Sequence, residues 1–402
     1  MVVIGAGECG TRAAFALREN GWTGPVTLVG GEAELPYERP PLSKTGAFTP
    51  ICDDERLRAV DVTYLPGVHA TDIDTDRHTV ALDDGRSLAY DKLLLATGAT
   101  ARPLPFTGAP VHLVRTHADA QALRRRIIPG ARVGVIGGGF IGLELAAAAA
   151  TLGAGVTVLE LGERLMGRAV PARVATAVAA RHVAAGVDVR CGAAVTGLAE
   201  RPGGIVIGLA DGTSVEVDVV VAGVGAVPHT ELAERAGLAV DDGILVDATL
   251  ATSTSDAFAA GDCCRFPHPL YDGRPLRLES WRAAQQHGDT AAAAMLGTPV
   301  SYTAVPWFWS DQYDLSLQVA GLPSAASDDV VRVRPDGIEL WFGLDAQGRL
   351  IAAAAVGPGN AVAKDIRLAE MLIAAQVVLP VEALADPGVP LKSLLRRTPA
   401  RV

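Results

Sequence analysis

The sequence predicts an α/β protein in which two Rossmann-type nucleotide-binding domains are followed by a C-terminal α+β domain. Two glycine-rich stretches support this fold class, GAGECG at residues 5–10 and GGGFIG at residues 137–142. Each has the G-x-G-x-x-G spacing and lies between an apolar strand and a helix, the context in which that spacing indicates a dinucleotide site. A third observation is that strand–helix units give way to short antiparallel-type strands from about Tyr302.

The first strand–turn–helix unit begins at the first residues of the chain. Val2–Ile4 is a short apolar strand, GAGECG a tight turn, TRAAFALRENG a helix, and Val26–Gly30 the next strand. Gly5 permits the tight turn, Gly7 lets the backbone approach a pyrophosphate, and Gly10 allows the helix to pack closely on the strand. A phosphate at this turn meets the free N–H groups at the positive end of the helix dipole.

The second unit, RVGVIGGGFIGLELAAAAATLGAGVTVLE, repeats this plan from Arg132 to Glu160. Glu160 closes its second strand, where an acid holds a ribose hydroxyl and repels a 2′-phosphate. We therefore expect NADH to be preferred over NADPH, with the strictness left open because Arg164 and Arg168 follow closely. In the first unit the corresponding acid is displaced to Glu32.

Seven further segments predict most of the remaining elements. DKLLLATGA and VDVVVAGVGAVP are each typical of the last strand of a nucleotide-binding domain, and DAFAAGDC is a strand ending in Gly-Asp. A helix is expected over SWRAAQQHGDTAAAAML. In the C-terminal part we expect antiparallel strands in PWFWSDQYDLSLQVAG, GIELWFGLD and RLIAAAAVG, then helices from about Asn360.

Composition narrows the function classes. The formal net charge of −10 argues against general nucleic-acid binding, which needs a basic surface. The longest apolar runs are broken well short of a membrane span, and we expect a cytoplasmic chain without a targeting peptide. The five cysteines have no C-x-x-C, zinc or iron–sulfur spacing, which is typical of free thiols in a reducing compartment. They are Cys9, Cys52, Cys191, Cys263 and Cys264.

Two nucleotide sites in one chain suggest that two dinucleotides meet. A pyridine nucleotide carries a hydride, and a flavin can accept the hydride and later release single electrons. We therefore expect FAD at the first fingerprint and NADH at the second.

Longer motifs indicate a family. YERPPLSK (residues 37–44), LLLATGA, GGGFIGLE, AGDC, LESW and PWFWSDQ together resemble the FAD-dependent NADH:ferredoxin reductases, over essentially the whole chain. The resemblance implies a glutathione-reductase-like fold, with a discontinuous FAD-binding domain (1–103 and 229–302), an NAD-binding domain (104–228) and a C-terminal α+β domain (303–402). It also implies hydride transfer from NADH to flavin N5, then single electrons to a [2Fe–2S] ferredoxin that feeds a cytochrome P450 or a ring-hydroxylating dioxygenase.

The resemblance implies a binding role for particular residues. Arg39 is expected near the flavin phosphates, Asp262 at the ribityl chain, and Trp281 at the isoalloxazine edge. Relatives often carry Asp at the position of Gly31, so it stays open whether Glu32 holds the adenosine ribose. The expected FAD-binding residues are Gly5, Gly7, Cys9, Gly10, Glu32, Arg39, Lys44, Ala70, Ala96, Thr97, Arg115, Asp262 and Trp281. The expected NADH-binding residues are Gly137, Gly139, Phe140, Ile141, Gly142, Glu144, Glu160 and Gly225.

Lys44 and Glu144 are the expected catalytic pair. The resemblance implies an ion pair over the re face of the flavin, where the lysine favours the electron-rich reduced ring and the pair orients the nicotinamide carboxamide. From the residues alone, Lys44 is equally an exposed lysine and Glu144 an ordinary acid on the first turn of its helix. In PWFWSDQ, Trp309 with Asp311 and Gln312 are candidates for lining the flavin and partner surface.

Related activities need other residues. A disulfide reductase of this fold needs a C-x4-C pair, and NADH peroxidases and oxidases need one cysteine, in the region that here has PYERPPLSK. Cys52 lies too far along the chain to serve. Rubredoxin or another one-electron acceptor remains an alternative partner. A signalling flavoprotein resembling apoptosis-inducing factor remains an alternative of another class.

The expected partner is a [2Fe–2S] ferredoxin that docks transiently through charge, and we expect no nucleic-acid or membrane binding. Ferredoxins are usually acidic, so a basic rim is expected on this chain, which is expected to be a monomer or weak homodimer. The candidate rim residues are Arg56, Arg58, Arg265, Arg274, Arg277, Arg282, Lys364 and Arg367.

Overall fold

The computed structural model describes residues 1–167 and 169–395, so Arg168 lies outside the described residues. The strands, in chain order, are β1 (Val2–Ile4), β2 (Thr27–Gly30), β3 (Thr63–Pro66), β4 (Ala70–Asp74), β5 (Thr79–Leu82), β6 (Ser87–Ala89), β7 (Leu93–Leu95), β8 (Ala99–Ala101), β9 (Arg132–Ile136), β10 (Gly155–Glu160), β11 (Asp188–Cys191), β12 (Val195–Arg201), β13 (Gly204–Leu209), β14 (Ser214–Val217), β15 (Val219–Ala222), β16 (Ala226–Pro228), β17 (Ile244–Leu245), β18 (Ala257–Ala259), β19 (Cys264–His268), β20 (Arg274–Leu276), β21 (Trp307–Gln312), β22 (Leu315–Gly321), β23 (Asp328–Val333), β24 (Glu339–Leu344) and β25 (Leu350–Pro358). The α-helices are α1 (Glu8–Glu19), α2 (Asp54–Ala59), α3 (His117–Arg124), α4 (Phe140–Thr151), α5 (Ala172–Ala184), α6 (Glu231–Arg235), α7 (Trp281–Met295), α8 (Ala363–Ala374), α9 (Val381–Ala385) and α10 (Leu391–Leu395). Within the described ranges, no helix combines the length and the apolar character needed to cross a membrane.

Contacts divide the chain into two units. Unit 1 comprises residues 1–38, 48–100 and 226–304, and unit 2 comprises residues 39–47, 101–225 and the described residues from 305 onward. Unit 2 therefore includes both the region expected to bind NADH and the expected C-terminal domain.

The central sheet of unit 1 is parallel, in the order β18-β7-β1-β2-β3. Its inner strands VVI, TLVG and LLL are continuous apolar runs, as expected for parallel strands covered on both faces. The strand order reverses beside β1, and nucleotides bind at such a switch point, outside the carboxyl ends of the strands. The glycine turn that follows β1 lies at that point.

Helix α1 packs against α7 across a close backbone approach. A Cβ added at Gly288 of α7 would lie 2.7 Å from the carbonyl oxygen of Cys9, so glycine is needed there. The expected start of α1 at Thr11 is wrong, because the helix begins at Glu8. The second half of the glycine fingerprint thus forms the first helical turn and not a separate loop.

Unit 2 repeats the parallel plan in the order β11-β10-β9-β15, so its second glycine turn also follows a strand at a switch point. An antiparallel sheet, β12-β13-β14, is inserted between β11 and β15.

The C-terminal part of unit 2 is a five-stranded antiparallel sheet, β21-β22-β25-β24-β23, with α8 packed on β22 and β25. Strand β23, DDVVRV, was not among the expected strands, since it begins with two aspartates, which strands rarely contain. Leu317, Val319 and Trp341 of this sheet belong to the same buried cluster as Leu143 and Val158. One apolar core therefore connects the C-terminal sheet with α4 and the parallel sheet.

Candidate functional site

The glycine loop after β1 has the geometry of a phosphate cradle. Gly5 has φ +106°, and a Cβ there would lie 2.1 Å from the carbonyl oxygen of Ala96. A Cβ at Gly10 would lie 1.9 Å from the carbonyl oxygen of Gly5, whereas a Cβ at Gly7 would meet no atom of the described residues within 4 Å. No side chain in the described part of the chain caps the N-terminus of α1, so its first N–H groups face the open side at Gly7. This cradle fits a dinucleotide pyrophosphate.

Burial raises the pKa of two side chains at the start of α1. Burial raises the pKa of the Cys9 thiol well above its ordinary value. Burial also raises the pKa of Glu8, the residue before it, whose Oε1 accepts a hydrogen bond of 2.8 Å from Gln285 Nε2. Glu8 was not among the expected site residues, although an acid in the first turn beside a phosphate site is a signal visible in the sequence.

The region after β2 shows where the first-unit acid lies. The Tyr37 hydroxyl donates to Glu32 Oε2, which holds the carboxylate of this residue, two positions after β2. A Cβ at Gly31 would lie 2.6 Å from His69 Nε2, so the imidazole occupies the space that an Asp at this position would need. Ala70 follows His69 directly and begins β4.

The other expected FAD contacts are distributed over both units. In unit 1, Thr97 Oγ1 donates to the carbonyl of His229 over 2.7 Å, Asp262 lies in a short 3₁₀ turn after β18, and Trp281 begins α7. In unit 2, Arg39 Nη1 donates to the carbonyl of Arg115 over 2.6 Å. The structure thus brings Arg39 and Arg115 together.

The loop after β9 repeats the cradle. Gly137 has φ +103°, and a Cβ at Gly142 would lie 2.2 Å from the carbonyl oxygen of Gly137. Among residues 1–167 and 169–395, a Cβ at Gly139 would meet only the carbonyl oxygen of Gly223, at an ordinary contact distance of 3.7 Å. Helix α4 also lacks a side-chain cap, so this loop fits a second pyrophosphate.

Side chains next to the second loop complete its surroundings. The ring of Phe140 contacts that of Phe308 edge to face, with centroids 4.9 Å apart, whereas Ile141 is 46% exposed. Gly225 has φ +107°, in the segment that leaves β15.

Glu160 is positioned by backbone hydrogen bonds. Its Oε2 accepts from the N–H of Gly138 over 2.6 Å, and its Oε1 accepts from the N–H of Gly162 over 2.7 Å. The carboxylate at the end of β10 is therefore tied to the glycine loop itself. Arg164 donates to the carbonyls of Val170 and Gly167, which directs its guanidinium to the backbone.

Lys44 and Glu144 lie together in unit 2. Lys44 Nζ is 3.7 Å from Glu144 Oε1 and 3.5 Å from Asp311 Oδ2, and it lies 5.0 Å from the ring centroid of Trp309. Trp309 Nε1 in turn donates to Asp311 Oδ2 over 2.9 Å. One ammonium group thus lies against two carboxylates and one aromatic ring.

Glu144 is a buried acid, only 5% exposed. Its expected place on the first helical turn is wrong, because α4 begins at Phe140 and Glu144 falls in the second turn. Ser43 Oγ donates to Glu144 Oε2, and Ser310 Oγ donates to Oε1 over 2.7 Å. Burial raises the pKa of Glu144, and the charge of Lys44 and the two serine hydroxyls lower it only in part.

Several expected rim cations already have carboxylate partners in their own chain. Arg265 pairs with Asp241, Arg277 with Glu279, and Arg367 with Glu370. Arg56 and Arg58 are exposed on the short helix α2. The positive charge that a partner would meet is therefore smaller than the eight residues suggest.

Known proteins resemble this chain over nearly its full length. The model of the pyridine nucleotide-disulphide oxidoreductase family matches residues 1–288, and the model described as reductase C-terminal matches residues 307–395. The chain is 42% identical to the ferredoxin–NAD(+) reductase component of an anthranilate 1,2-dioxygenase system from Burkholderia cepacia, over 98% of each chain. It is 36% identical to putidaredoxin reductase from Pseudomonas putida, over 100% of this chain and 98% of that protein. The crystal structure of the covalent putidaredoxin reductase–putidaredoxin complex matches with a TM-score of 0.93 and 34% identity, over 100% of this chain and 99% of that chain.

Proposed function

The chain belongs to the pyridine nucleotide-disulphide oxidoreductase family, and we infer that it is an FAD-dependent NADH:ferredoxin reductase. The observation that carries this conclusion is the similarity to ferredoxin reductases over nearly the full chain, including the C-terminal region. The lack of cysteine in YERPPLSK agrees with it, since a disulfide reductase needs a thiol pair in this segment.

The two glycine loops are the basis for assigning the cofactors. FAD, when bound, accepts a hydride from NADH and supplies single electrons to the acceptor. The loop around Gly7 would hold the FAD pyrophosphate, and the loop around Gly139 that of NADH, because each leaves a glycine open beside an uncapped helix. We assign FAD binding to residues 1–103 and 229–302, NADH binding to residues 104–228, and residues 303–402 to the C-terminal domain.

The remaining roles are assigned to side chains. Glu160, held by two backbone N–H groups, would accept the ribose hydroxyls of NADH and repel a 2′-phosphate. The other FAD contacts would come from Cys9, Glu32, Arg39, Ala70, Ala96, Thr97, Arg115, Asp262 and Trp281, and the other NADH contacts from Phe140, Ile141 and Gly225.

Lys44 and Glu144 would act by charge and orientation. The ammonium group of Lys44 stabilises negative charge that develops near it. The contact with Glu144 keeps this ammonium group in place. Glu144, aligned by Ser43 and Ser310, would accept a hydrogen bond from the nicotinamide carboxamide. Neither residue forms a covalent bond, since positioning and electrostatics are sufficient.

The electron acceptor is proposed to be a [2Fe–2S] ferredoxin that serves a cytochrome P450 or a ring-hydroxylating dioxygenase. The relatives named above belong to an anthranilate dioxygenase system and to the putidaredoxin couple, which supports this class of acceptor. We further propose that the chain acts in the cytoplasm as a monomer or weak homodimer, and its five free thiols agree with a reducing compartment.

Steady-state reduction of cytochrome c by NADH tests the function. The purified flavoprotein is expected to reduce cytochrome c rapidly only when a [2Fe–2S] ferredoxin is added, and to lose that rate at high salt as docking charges are screened. Equal rates without ferredoxin would contradict the assignment. If rubredoxin gives a higher rate than every ferredoxin tried, rubredoxin replaces ferredoxin as the proposed acceptor.

A further inference from the structure

A row of hydrogen bonds leads from Glu144 into the interior of unit 2. Ser310 Oγ donates to Glu144 Oε1 over 2.7 Å, and Gln312 Nε2 donates to Ser310 Oγ over 3.0 Å. Gln312 Oε1 lies 2.8 Å from His182 Nε2. The Tyr313 hydroxyl lies 3.0 Å from His182 Nδ1. The row therefore connects β21 with α5.

The direction of each hydrogen bond follows from the one before it. An ionised Glu144 can only accept, so the Ser310 hydroxyl must donate to it. The Ser310 oxygen is then free to accept from the Gln312 amide nitrogen, which leaves the Gln312 oxygen facing His182. His182 must therefore carry its proton on Nε2, and Nδ1 accepts from the Tyr313 hydroxyl. Every donor in the row points toward Glu144.

Water cannot readily replace the hydrogen bonds of the row, because the side chains that make them are buried. His182 is 0% exposed, Ser310 is 1% exposed and Gln312 is 3% exposed. Burial lowers the pKa of His182, which agrees with a neutral imidazole that donates from one nitrogen only. The outer end is fixed as well, because the guanidinium of Arg181 lies 4.4 Å from the centroid of the Tyr313 ring.

We propose that Gln312, His182 and Tyr313 are positioning residues that set the direction of the Ser310 hydrogen bond and so hold Glu144 ionised and aligned beside Lys44. The proposal rests on the proposed function only in assigning Glu144 to the nicotinamide site. The row orients and does not conduct protons, because the amide of Gln312 would have to change tautomer to pass a proton.

The first test measures the row in the oxidised FAD-loaded protein without NADH or ferredoxin. Nitrogen-15 NMR of the histidines, assigned by comparison with His182→Asn, is expected to show a neutral His182 protonated on Nε2. Infrared titration of Glu144, assigned with Glu144→Gln, is expected to show a higher pKa in Gln312→Leu, since Ser310 no longer has its donor. The charged groups that face Glu144 are Lys44 and Asp311, and they are present in both the parent and Gln312→Leu.

The second test separates orientation from folding. Gln312→Leu is expected to raise the KM for NADH about tenfold, the effect of about 1.4 kcal/mol, with a smaller change in kcat. Tyr313→Phe removes only a hydroxyl at the outer end of the row. It is expected to change the KM for NADH and kcat in the same direction as Gln312→Leu, but by less. Thr176→Ala, on the exposed face of α5, is the matched control and is expected to change neither.

Three results would overturn the proposal. They are a His182 protonated on Nδ1, an unchanged Glu144 titration in both Gln312→Leu and Tyr313→Phe, or an unchanged KM in both. If Gln312→Leu does not fold, the same readings on Tyr313→Phe decide the matter. If only ferredoxin reduction fails, the proposed function is rejected. The NMR and infrared measurements still test the row, because they need neither NADH nor ferredoxin.

Discussion

Lys44 Nζ lies 3.7 Å from Glu144 Oε1 and 3.5 Å from Asp311 Oδ2, so a single ammonium group is shared by two carboxylates. Only Glu144 is buried, and the Ser43 and Ser310 hydroxyls both donate to it. The charge of Lys44 is therefore held at one place by groups from three separate segments of the chain. This arrangement is the basis of the catalytic role proposed for the pair.

Replacing the cation tests that role. In Lys44→Met the ammonium charge is lost while the aliphatic stem is kept, so we expect flavin reduction by NADH to slow about 100-fold, the lower end of the loss found when one preorganised donor is removed. Stopped-flow absorbance of the FAD-loaded protein measures this rate. Lys392→Met, at an exposed lysine of α10, is the control and should reduce at the parent rate. A parent-like rate in Lys44→Met would remove the assignment.

The burial of Glu144 predicts a pH-dependent stability. Its pKa is raised in the folded chain, so the folded state binds this proton more tightly than the unfolded chain does. The contribution of Glu144 therefore favours folding at acidic pH and is lost as the pH rises through its folded pKa. Relative to the parent, Glu144→Gln should therefore gain in apparent melting temperature as the pH rises above the ordinary pKa of a glutamate.

Thermal unfolding followed by circular dichroism at a series of pH values measures this difference. Glu163→Gln, at an exposed acid, is the control and should follow the parent at every pH. A Glu144→Gln difference that shrinks with rising pH would show that Glu144 is not destabilised by burial.

Glu160 is expected to determine the coenzyme preference. Glu160→Ala removes the carboxylate that two backbone N–H groups hold at the end of β10. We expect kcat/KM to fall about tenfold with NADH, the effect of about 1.4 kcal/mol, and to rise with NADPH, since the repulsion of the 2′-phosphate is lost. Initial rates with both coenzymes measure the change. Glu163→Ala is the control, and an unchanged ratio of the two coenzymes in Glu160→Ala would contradict the assignment.

Alanine substitutions at two glycines of the first loop should have different effects, one on folding and one on FAD binding. A Cβ at Gly10 would lie 1.9 Å from the carbonyl oxygen of Gly5, so Gly10→Ala is expected to prevent folding or to lower stability severely. A Cβ at Gly7 would meet nothing within 4 Å in the part of the chain that the structure describes, so Gly7→Ala should fold but bind FAD at least about tenfold more weakly. Flavin absorbance after desalting, with circular dichroism as the check on folding, separates the two. Full flavin retention in Gly7→Ala would contradict the assignment.

Some of this structure could be predicted from local spacing. The G-x-G-x-x-G pattern fixes a turn, and Gly5 and Gly137 both have the positive φ that the pattern implies. The position of Glu160 at the end of β10 follows from the same unit, since strand and fingerprint are only about 20 residues apart. The helix boundary was less predictable, because the fingerprint itself forms the first turn of α1.

The surroundings of Glu144 could not be predicted from the sequence. Its two serine partners lie 101 and 166 residues away along the chain, so only the folded unit brings them together. Local pattern suggested an acid at a helix start, where the dipole would stabilise the charge, whereas burial in the second turn has the opposite effect on its pKa. The sequence did not indicate a role for His182, since a single histidine on an amphipathic helix resembles any core residue.

The most direct test of two separate dinucleotide sites is Gly139→Ala. Its Cβ would make only an ordinary 3.7 Å contact with protein but would enter the open side of the second loop. We expect a yellow, folded protein with the flavin content of the parent, and we expect dithionite to reduce this flavin fully. Reduction by NADH should need concentrations at least about tenfold higher than in the parent. Flavin reduction with the parent dependence on NADH concentration, or loss of flavin from this variant, would contradict this expectation.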